Sequence, residues 1–376
     1  MKLGNFILAP DSFKGTMSSD EVCTAMERAI LKNIPEAHIT RVPLADGGEG
    51  LVAAFIRICG AKKVTAEVCG PLREKLNASY AIMPDGTAII EMAECAGLQL
   101  VENRRDPLHT TTYGVGELIL NAAAKGCKKI ILGLGGSATN DCGIGMASAL
   151  GYSFFDASGS EIEASAENMV RISKIKAPES LPDCSFVAAC DVNNPLYGPE
   201  GATYTFGMQK GAQGEMLALL DAGLENMAAV IKRDLGVDVS SEQGSGAAGG
   251  MGAGVLAFLH GTLKPGIELV LEKANFDELL DGADIVFTGE GRIDWQSAHG
   301  KAPVGVAMHA KAKGVPCIAL CGSVGEGAEA VYEKGISAFF SAVRGTCDFE
   351  QLKKTCREDM YVLTDAVVKT LLIWNP

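Results

Sequence analysis

The stretch KKIILGLGGSATNDCGIGMASALG, residues 128–151, decides how the rest of the chain is interpreted. The apolar run at 130–132 predicts a short buried strand, and the small residues at about 144–150 predict a helix. Between them, the run GLGGS at 133–137 predicts a turn whose backbone N–H groups lack intrahelical partners. Because these groups lie at the positive end of the helix dipole, the turn predicts an anion-binding loop.

Four polar side chains follow in the same loop: Ser137, Thr139, Asn140 and Asp141. They add hydroxyl, amide and carboxylate groups that a loop serving only to turn the chain does not need. A dinucleotide-binding unit is one alternative, because residues 133–138 match G-x-G-x-x-A and Asp156 follows at a suitable separation. A plain loop is another, since a second G-x-G-x-x-G begins at Gly244 without a preceding strand, in a chain with 45 glycines.

Composition describes an acidic, folded protein that is long enough for two domains. The 376 residues are 47% hydrophobic and 21% charged, with a formal net charge of −13 at pH 7. This length predicts two domains, or one α/β body with an insertion. The negative charge argues against nucleic acid and anionic membranes as partners, because both require a basic surface. An anionic substrate would need local lysines or Mg²⁺ to overcome the same field.

The cysteines and the amino-terminal segment predict a cytoplasmic protein. The chain has twelve cysteines and no C-x-x-C pair, and most lie beside apolar residues, where free cysteine packs as a small hydrophobic side chain. Reduced thiols are therefore expected rather than a disulfide framework or a zinc site. The first residues reach a polar turn too early for a secretory signal, and no apolar run is long enough to span a bilayer.

The order of predicted elements indicates a domain built from both chain ends. Apolar runs alternate with helical patterns in residues 1–62, with a capping box that begins at Ser18, and the alternation returns in 283–376. Between them, short alternating runs and turn signals predict antiparallel strands at first. We therefore expect a discontinuous parallel α/β domain from the two end segments and an inserted mixed α/β domain at 63–282. Two sequential domains divided near residue 180 are the alternative.

Five acids follow apolar runs through small or glycine-rich turns: Asp11, Asp46, Asp141, Asp191 and Asp294. In open α/β sheets, ligands bind beyond the carboxyl ends of the strands, where such loops converge. The five acids as a group therefore predict a cation site. Each acid taken alone is also typical of a turn or a helix cap, because its short side chain can bond nearby N–H groups.

Two further sets of side chains fit an anionic substrate and its metal ion. Asp191 begins the segment DVNNP, in which a carboxylate and the carboxamides of Asn193 and Asn194 can bind Mg²⁺ or a substrate hydroxyl; a plain turn is the alternative. Three lysines have glycine neighbours and can either neutralise phosphate oxygens or simply be solvated: Lys14, Lys210 and Lys301.

Several known catalytic motifs are missing from the sequence. It contains no G-x-x-x-x-G-K-[ST] loop, no H-R-D or D-F-G set, and no H-E-x-x-H or G-x-S-x-G segment. The five histidines do not cluster by their spacing. A P-loop enzyme, a protein kinase and histidine-centred acid–base chemistry are therefore not expected.

Six segments together resemble the bacterial glycerate kinase family, type 1, in the order that the family shows and over nearly the whole chain. They are residues 9–15 (APDSFKG), 43–50 (PLADGGEG), 133–141 (GLGGSATND), 191–196 (DVNNPL), 206–212 (FGMQKGA) and 288–294 (TGEGRID). Two positions depart from the usual family pattern. Met208 stands where proline is usual, and Cys142 stands where glycine or alanine is common.

The resemblance implies ATP-dependent phosphorylation of D-glycerate, with Mg²⁺, by a cytoplasmic enzyme. It favours 2-phosphoglycerate over 3-phosphoglycerate as the product, although the sequence itself does not distinguish the two hydroxyl groups. It also implies a flavodoxin-like parallel-sheet domain formed by both chain ends and an inserted domain similar to the restriction-endonuclease fold. The oligomeric state is left open, a homo-oligomer included.

The resemblance and the residue chemistry together assign candidate roles. Asp191, or Asp46 as second choice, would accept the glycerate hydroxyl proton, while Lys14 and Lys210 would face anionic oxygens. Metal binding is assigned to Asp141, Asp191 and Asp294. Substrate and nucleotide binding is assigned to a larger set of loop residues: Asp11, Ser12, Gly47, Gly48, Glu49, Gly135, Gly136, Ser137, Thr139, Asn140, Asn193, Asn194, Gly211, Gly289, Glu290 and Arg292.

Two rival functions stay open at this point. A nucleotide-dependent dehydrogenase would use the loop at 133–138 together with Asp156. An acidic-ligand binding protein would use the same anion-binding loops without turning over its ligand.

Overall fold

Apolar runs that are buried along their length form the central strands of two sheets. The strands IVFTG and CIALC are buried at every position, and NFILAP is buried from its second residue onward. The computed structural model describes residues 3–13, 15–44, 50–299, 301–345 and 348–374. Its strands are β1 (Asn5–Pro10), β2 (His38–Arg41), β3 (Lys62–Cys69), β4 (Lys75–Ile82), β5 (Thr87–Glu91), β6 (Lys129–Gly133), β7 (Ser153–Phe155), β8 (Glu161–Ile162), β9 (Lys174–Lys176), β10 (Ser185–Ala189), β11 (Thr262–Lys264), β12 (Ile285–Gly289), β13 (Arg292–Ile293), β14 (Cys317–Cys321), β15 (Ser323–Val324) and β16 (Ile336–Ser341).

The α-helices follow the strands and begin or end at local signals in the sequence. They are α1 (Ser19–Asn33), α2 (Leu51–Cys59), α3 (Ala93–Ala96), α4 (Tyr113–Ala124), α5 (Ile144–Ala149), α6 (Ala202–Phe206), α7 (Glu215–Leu235), α8 (Ala247–Phe258), α9 (Gly266–Lys273), α10 (Phe276–Leu279), α11 (Ala302–Ala312) and α12 (Phe349–Trp374). The predicted capping box of α1 is confirmed, because the Glu21 N–H donates to Ser18 Oγ and the Ser18 N–H donates to Glu21 Oε2 at 2.9 Å. α7 ends at Gly236, whose φ of 74° stops the helix.

The chain divides into two compact units, and the first combines Met1–Asp46 with Ile267–Pro376. Its five-stranded sheet is wholly parallel, in the order β16-β14-β12-β1-β2. This is the doubly wound order of flavodoxin-like sheets, and the strand order reverses between β1 and β12. α1 and α12 pack together on this sheet and bury Met26, Ile30 and Met360 beside the strand residues Leu8 and Phe287.

The second unit is Gly47–Gly266. Its six-stranded sheet has the order β11-β10-β6-β5-β4-β3, in which neighbours from β11 to β5 run parallel and β4 and β3 continue antiparallel. A small antiparallel sheet, β8-β7-β9, belongs to the same unit. The predicted antiparallel segment is thus present, but β5 also pairs parallel with β6 and so joins it to the strand that carries the glycine loop.

The boundaries between the two units lie earlier in the chain than the predicted domain boundaries at 62/63 and 282/283. They lie at 46/47 and 266/267. α2 belongs with the second unit because it packs on β4 and β5, and its Val52 N–H donates to the Glu91 carboxylate at 2.7 Å. At the other boundary, Ile267 packs against Gly305 of α11 in the first unit.

Candidate active site

The glycine loop, residues 133–143, leaves the carboxyl end of β6 in the second unit. Gly136 adopts a φ of 72°, a conformation that glycine enters without steric cost. Neighbouring backbone fixes the loop, since the Leu98 N–H donates to the Gly136 carbonyl and the Ala138 N–H donates to the Ala96 carbonyl, both at 2.8 Å. α5 begins after Gly143, so the predicted strand, glycine turn and helix are confirmed.

Asp141 holds the far end of the glycine loop from inside the protein. Its Oδ2 accepts hydrogen bonds from the Thr112 N–H at 2.9 Å and the Thr112 hydroxyl at 2.8 Å, and its Oδ1 accepts one from the Gly143 N–H at 3.1 Å. Burial raises the pKa of Asp141, and these donors together with the Gly145 N–H offset part of the rise. The contacts support a loop-ordering role and lend no support to the predicted metal-binding role, because protein donors already use both oxygens.

Lys210 lies behind the glycine loop and is only 2% exposed. Its Nζ donates to Ser137 Oγ at 2.8 Å and to the Thr139 carbonyl at 2.7 Å. Burial lowers the pKa of Lys210 to about 7, and the charge of Asp141 acts in the opposite direction. The structure therefore brings together the predicted residues Ser137, Thr139 and Lys210, but the lysine contacts the loop itself and not the solvent.

A second glycine segment, at the start of α8, packs directly on the first. The Cys142 N–H donates to the Gly249 carbonyl at 3.1 Å. Gly249 has a φ of 72°, and a Cβ there would overlap the Thr139 carbonyl oxygen, so no other residue fits this position. Cys142 and Ala248 also adopt positive φ, at 53° and 54°. The backbone at this loop junction is strained for residues that carry a Cβ.

Three buried polar atoms in this part of the fold have no hydrogen-bond partner among the described residues: Thr139 Oγ1, Asn140 Oδ1 and Ser245 Oγ. Thr139 and Asn140 belong to the glycine loop, and Ser245 lies two residues before α8. Leaving such an atom unsatisfied costs about 1–3 kcal/mol. The chemistry of these atoms therefore fits a site that completes its hydrogen bonds with a polar ligand group or with water.

The segment after β10 lies beside the glycine loop, because Ala189 at the end of β10 pairs with Gly133 at the end of β6. Asp191 is exposed, and its Oδ1 accepts a hydrogen bond from the Gly266 N–H at 2.8 Å. Asn193 is exposed as well. Asn194 instead turns inward and donates to the Glu200 carbonyl at 2.7 Å, so its amide supports the local turn.

In the first unit, Asp11 and Glu290 follow β1 and β12, the two strands between which the sheet order reverses. Such a switch point is where open α/β sheets bind ligands. The Asp11 N–H donates to the Gly289 carbonyl at 2.8 Å, and the Ser12 N–H donates to Asp11 Oδ1 at 2.6 Å. A Cβ on Gly289 would overlap the Leu320 carbonyl oxygen, so glycine is required where β12 meets β14.

Glu290 is a buried acid that is held by two side chains from one nearby segment. The Ser297 hydroxyl donates to Oε1 at 2.5 Å, and Lys301 Nζ lies 3.5 Å from Oε2. Burial raises the pKa of Glu290, and the hydrogen bond from Ser297 and the charge of Lys301 oppose that rise. The arrangement places a carboxyl group and a lysine ammonium at the switch point of the parallel sheet.

Arg292 and Asp294 lie on the short segment that follows Glu290. Arg292 is exposed, and its Nε lies 3.5 Å from Asp294 Oδ2. Asp294 Oδ1 accepts a hydrogen bond from the Gln296 N–H at 3.0 Å, which is typical of an acid that begins a helical turn. The contacts of Asp294 leave carboxylate capacity for a metal ion, since an ionised carboxylate offers about four acceptor positions.

Five of the predicted site residues lie outside the described part of the chain: Lys14, Asp46, Gly47, Gly48 and Glu49. Within the described ranges, no three His, Cys, Asp or Glu side chains gather closely enough to hold a metal ion by themselves. Mg²⁺ is commonly held by only one or two carboxylates together with substrate phosphates, so this finding does not bear on a metal ion that arrives with a nucleotide.

The comparison with known sequences identifies the family. The sequence model of the glycerate kinase family matches residues 6–372. The chain belongs to the glycerate kinase family. It is therefore an enzyme, a phosphotransferase, and the resemblance inferred from six sequence segments is confirmed.

Individual relatives cover almost the whole enzyme. A glycerate kinase from Bacillus cereus is 47% identical over 359 residues, 94% of each chain. A glycerate 2-kinase from Escherichia coli (strain K12) is 47% identical over 349 residues, 91% of this chain and 92% of that one. The crystal structure of a relative from Salmonella typhimurium LT2 matches with a TM-score of 0.86 and 42% identity, covering 99% of both chains.

The dehydrogenase alternative is not supported. A dinucleotide-binding unit needs its acid at the end of a parallel strand in the same sheet as the glycine loop. Asp156 instead follows β7, which belongs to the small antiparallel sheet, and its Oδ1 accepts hydrogen bonds from Ser158 and Ser160 in a local turn. The relatives named above are kinases, and none of them is described as a dehydrogenase.

Two groups of residues in this family member were not predicted from the sequence. The three threonines at 110–112 are all buried; Thr112 binds Asp141, and the Thr110 hydroxyl donates to the Ala138 carbonyl at 3.0 Å. Three consecutive threonines directly before a helix were a visible signal for these contacts. Ser297, which binds Glu290, had no such signal, because an isolated serine in a polar turn is common.

Two remaining expectations concern the cysteines and the membrane. All eleven cysteines within the described ranges are free thiols. No described helix combines the length and the apolar character needed to cross a membrane.

Proposed function

We propose that the enzyme transfers the γ-phosphoryl group of ATP to D-glycerate with Mg²⁺, and that the 2-hydroxyl is the acceptor. The observation that carries the proposal is the glycine loop at 133–143, in which the buried Lys210 bonds the Ser137 hydroxyl and the Thr139 carbonyl. Phosphoryl transfer needs positioning and neutralisation of oxygens more than covalent help, and such a loop provides both. The name of the Escherichia coli relative, a glycerate 2-kinase, supports the choice of hydroxyl.

The residues present fit a magnesium ion that arrives with the nucleotide. Mg²⁺ prefers carboxylate oxygens and water, and neutralises charge on the phosphate oxygens when it is bound. Asp191 and Asp294 are each retained as proposed metal ligands, since each carries a carboxylate. Asn193, exposed beside Asp191, could add a carboxamide oxygen. Asp141 is proposed to order the loop instead, because protein donors use both of its oxygens.

Asp191 is the proposed proton acceptor for the glycerate hydroxyl. It is exposed just after β10, next to the strand that carries the glycine loop, and its Oδ1 accepts a hydrogen bond from the Gly266 N–H. A carboxylate held in this way at the edge of the sheet is a suitable general base for a substrate hydroxyl. Asp46 remains the second choice for this role, and Lys14 remains a proposed contact to anionic oxygens.

The loops at the switch point of the first unit supply the remaining proposed contacts. Asp11, Ser12 and Glu290 offer hydrogen-bonding groups at the carboxyl ends of β1 and β12, and the backbone of Gly289 lies between those strands. Arg292 is exposed and can bind a phosphate oxygen. Gly47, Gly48 and Glu49 lie outside the described residues and remain proposed binding residues.

Several finer predictions from the sequence accompany this proposal. The second unit is proposed to resemble the restriction-endonuclease fold, which is compatible with a mixed sheet that has parallel and antiparallel strands. The enzyme is proposed to work in the cytoplasm, and a homo-oligomer remains an open expectation. Neither nucleic acid nor a membrane is proposed as a partner.

The deciding experiment measures ADP release from Mg·ATP with D-glycerate and without it. We expect release only with D-glycerate, and ³¹P NMR of the product should show 2-phosphoglycerate rather than 3-phosphoglycerate. Release that is independent of D-glycerate, or absent in its presence, would contradict the kinase assignment. A 3-phosphoglycerate signal would overturn only the choice of hydroxyl.

Replacing Asp191 tests the proposed proton acceptor. Because general-base catalysis contributes about 10²–10⁴-fold, Asp191→Asn should lower kcat by roughly that factor with a smaller change in the KM for D-glycerate. Steady-state kinetics with ADP detection give both constants. The matched control is Asp238→Asn, which replaces an exposed acid paired with Lys232 and should leave both constants unchanged. Near-normal turnover of Asp191→Asn would return the role to Asp46.

A further inference from the structure

Within the described residues, the two hydrogen bonds of Lys210 Nζ go to the glycine loop, and the protonation of the amine sets their direction. An ammonium group has three donors and no acceptor. While Lys210 is protonated, Ser137 Oγ accepts in the contact at 2.8 Å, and the Thr139 carbonyl accepts in the contact at 2.7 Å. The hydrogen of the Ser137 hydroxyl then points away from Lys210.

Among the residues that the structure describes, the Ser137 hydroxyl makes one hydrogen bond, with Lys210 Nζ, which leaves its donor capacity for a ligand. The Ser137 side chain is buried, at 5% exposure, and Lys210 is buried further, at 2%. Ser137 lies directly after Gly136, whose carbonyl accepts from the Leu98 N–H, so the backbone beside it is fixed.

The surroundings of Lys210 explain how a flexible side chain is kept in one place. Lys210 ends a short 3₁₀ turn, Met208–Lys210, and Gly211 follows with a φ of 105°. A Cβ on Gly211 would lie 2.6 Å from the Arg105 carbonyl oxygen, and Arg105 Nη1 in turn donates to the Gln209 carbonyl at 3.0 Å. Contacts with Arg105 therefore fix the backbone on both sides of Lys210, and this limits the positions that its side chain can take.

We propose that Lys210 is a positioning residue, which holds Ser137 as a hydrogen-bond donor to an anionic oxygen of the substrate and does not touch that substrate itself. Hydrogen bonds in a chain polarise one another, so a lysine that donates to Ser137 Oγ also strengthens the bond that Ser137 donates. The ligand class is an anionic oxygen, which can belong to the carboxylate of the hydroxy acid or to a phosphate of the nucleotide. The inference rests on the proposed kinase function and adds to it the route by which Lys210 acts.

A double-mutant cycle of Lys210→Met and Ser137→Ala tests this route. Methionine keeps the length of the buried stem and removes the ammonium, and alanine removes the hydroxyl. A hydrogen bond to a charged group contributes about 1.5–3 kcal/mol, so each variant should raise one KM by about 10–100-fold with a smaller effect on kcat. If Lys210 acts through Ser137, the double variant should have nearly the same KM as the more impaired single variant.

The two possible sources of the anionic oxygen are separated by measuring both KM values. A rise confined to D-glycerate assigns the oxygen to the substrate carboxylate, and a rise confined to ATP assigns it to a phosphate. Ser137→Thr, which keeps a hydroxyl, should recover most of the affinity that alanine loses. A matched control is Tyr152→Phe, which removes a buried hydrogen bond to the Phe258 carbonyl elsewhere in the same unit and should change stability without changing either KM.

Independent, multiplicative effects of the two substitutions would overturn the proposal, as would unchanged KM values in Lys210→Met. If Lys210→Met does not fold, Lys210→Gln, which keeps a hydrogen-bond donor without the charge, takes its place in the cycle. If the wild-type enzyme phosphorylates nothing, the proposed function fails separately. Calorimetry then measures the binding of D-glycerate and of Mg·ATP to the wild type, both single variants and the double variant. The proposal still requires that the effects of the two substitutions on the binding constant are not additive in free energy.

Discussion

At the scale of single residues, the contacts of Asp141 support a different role from the one that its position in the sequence predicted. Its position in the sequence made it a candidate metal ligand. In the fold it accepts hydrogen bonds from Thr112, Gly143 and Gly145, and so ties the loop to the start of α4. A buried carboxylate that accepts several hydrogen bonds is costly to replace, because each donor loses its partner.

Asp141→Asn should therefore destabilise the enzyme even though its shape is nearly unchanged. One oxygen becomes an NH₂ group, which cannot accept from the donors that now face it. We expect the free energy of unfolding to fall by about 2–4 kcal/mol in urea titrations. Asp183→Asn is the control, because that acid is exposed and paired with Lys128 at the surface, and it should cause little change. Equal stability of the two variants would contradict the loop-ordering role.

At the scale of elements, two glycines with nearly the same φ offer a test of the loop junction. Gly249 has a φ of 72° and no room for a Cβ beside the Thr139 carbonyl, whereas Gly236 has a φ of 74° and no heavy atom within 4 Å of the position that a Cβ would take. Alanine at either site incurs the left-handed cost of about 1–2 kcal/mol. Only Gly249→Ala must also push the two glycine segments apart.

We expect Gly249→Ala to lose about 2–5 kcal/mol of unfolding free energy and most of its activity. Gly236→Ala should lose only about 1–2 kcal/mol and keep its activity. Chemical unfolding and ADP release measure the two effects. Normal kinetics in Gly249→Ala would show that the packing of α8 on the glycine loop does not matter for function.

His309 links three helices of the first unit and makes their packing sensitive to pH. Its Nδ1 lies 2.7 Å from Asp277 Oδ1 on α10, and its Nε2 lies 3.1 Å from Glu268 Oε2 on α9. Burial lowers the pKa of His309, but the hydrogen bonds with Asp277 and Glu268 outweigh this and leave the pKa raised. The folded state therefore binds the proton more tightly than the unfolded chain does.

A raised histidine pKa stabilises the fold below the ordinary value near 6.5, and the stabilisation disappears as pH rises through the folded-state pKa. His309→Gln should consequently cost more stability at pH 6 than at pH 9, as measured by urea unfolding at both values. A loss for His309→Gln that does not depend on pH would contradict the charged pairing.

At the scale of the whole molecule, each unit has a hydrophobic core of its own. The core of the first unit contains Phe287 and includes helices from both chain ends. The core of the second contains Phe258, against which Tyr152 and Phe154 pack edge-on. Among the described residues, no side chain belongs to both of these clusters.

Separate cores predict separate responses to core substitutions. Phe287→Ala and Phe258→Ala should each remove about 3–5 kcal/mol from the unit that contains the phenylalanine. In differential scanning calorimetry, we expect each variant to lower the melting temperature of one unfolding transition and to leave that of the other unchanged. A single transition that both variants shift equally would mean that the two cores unfold together.

The sequence determined the local elements of this enzyme, its family and the glycine loop between a strand and a helix. The strand NFILAP, the strand before the glycine loop and the capping box at Ser18 all depend on residues close together in the chain. Periodicity, turn residues and capping signals act over a few positions, which is why they could be interpreted without coordinates. The six family segments are likewise continuous runs of residues, and the family match confirmed them.

Only the tertiary structure decided what the polar residues of the site contact. Lys210 reaches Ser137 from 73 residues away, and Thr112 meets Asp141 across 29. Gly249 packs on Thr139 through a close approach of two backbones. No periodic pattern encodes such pairs, because they arise when separate elements are packed into one core and buried polar groups must find partners there. An exposed lysine and a buried one look alike in the sequence, and burial alone separated their roles.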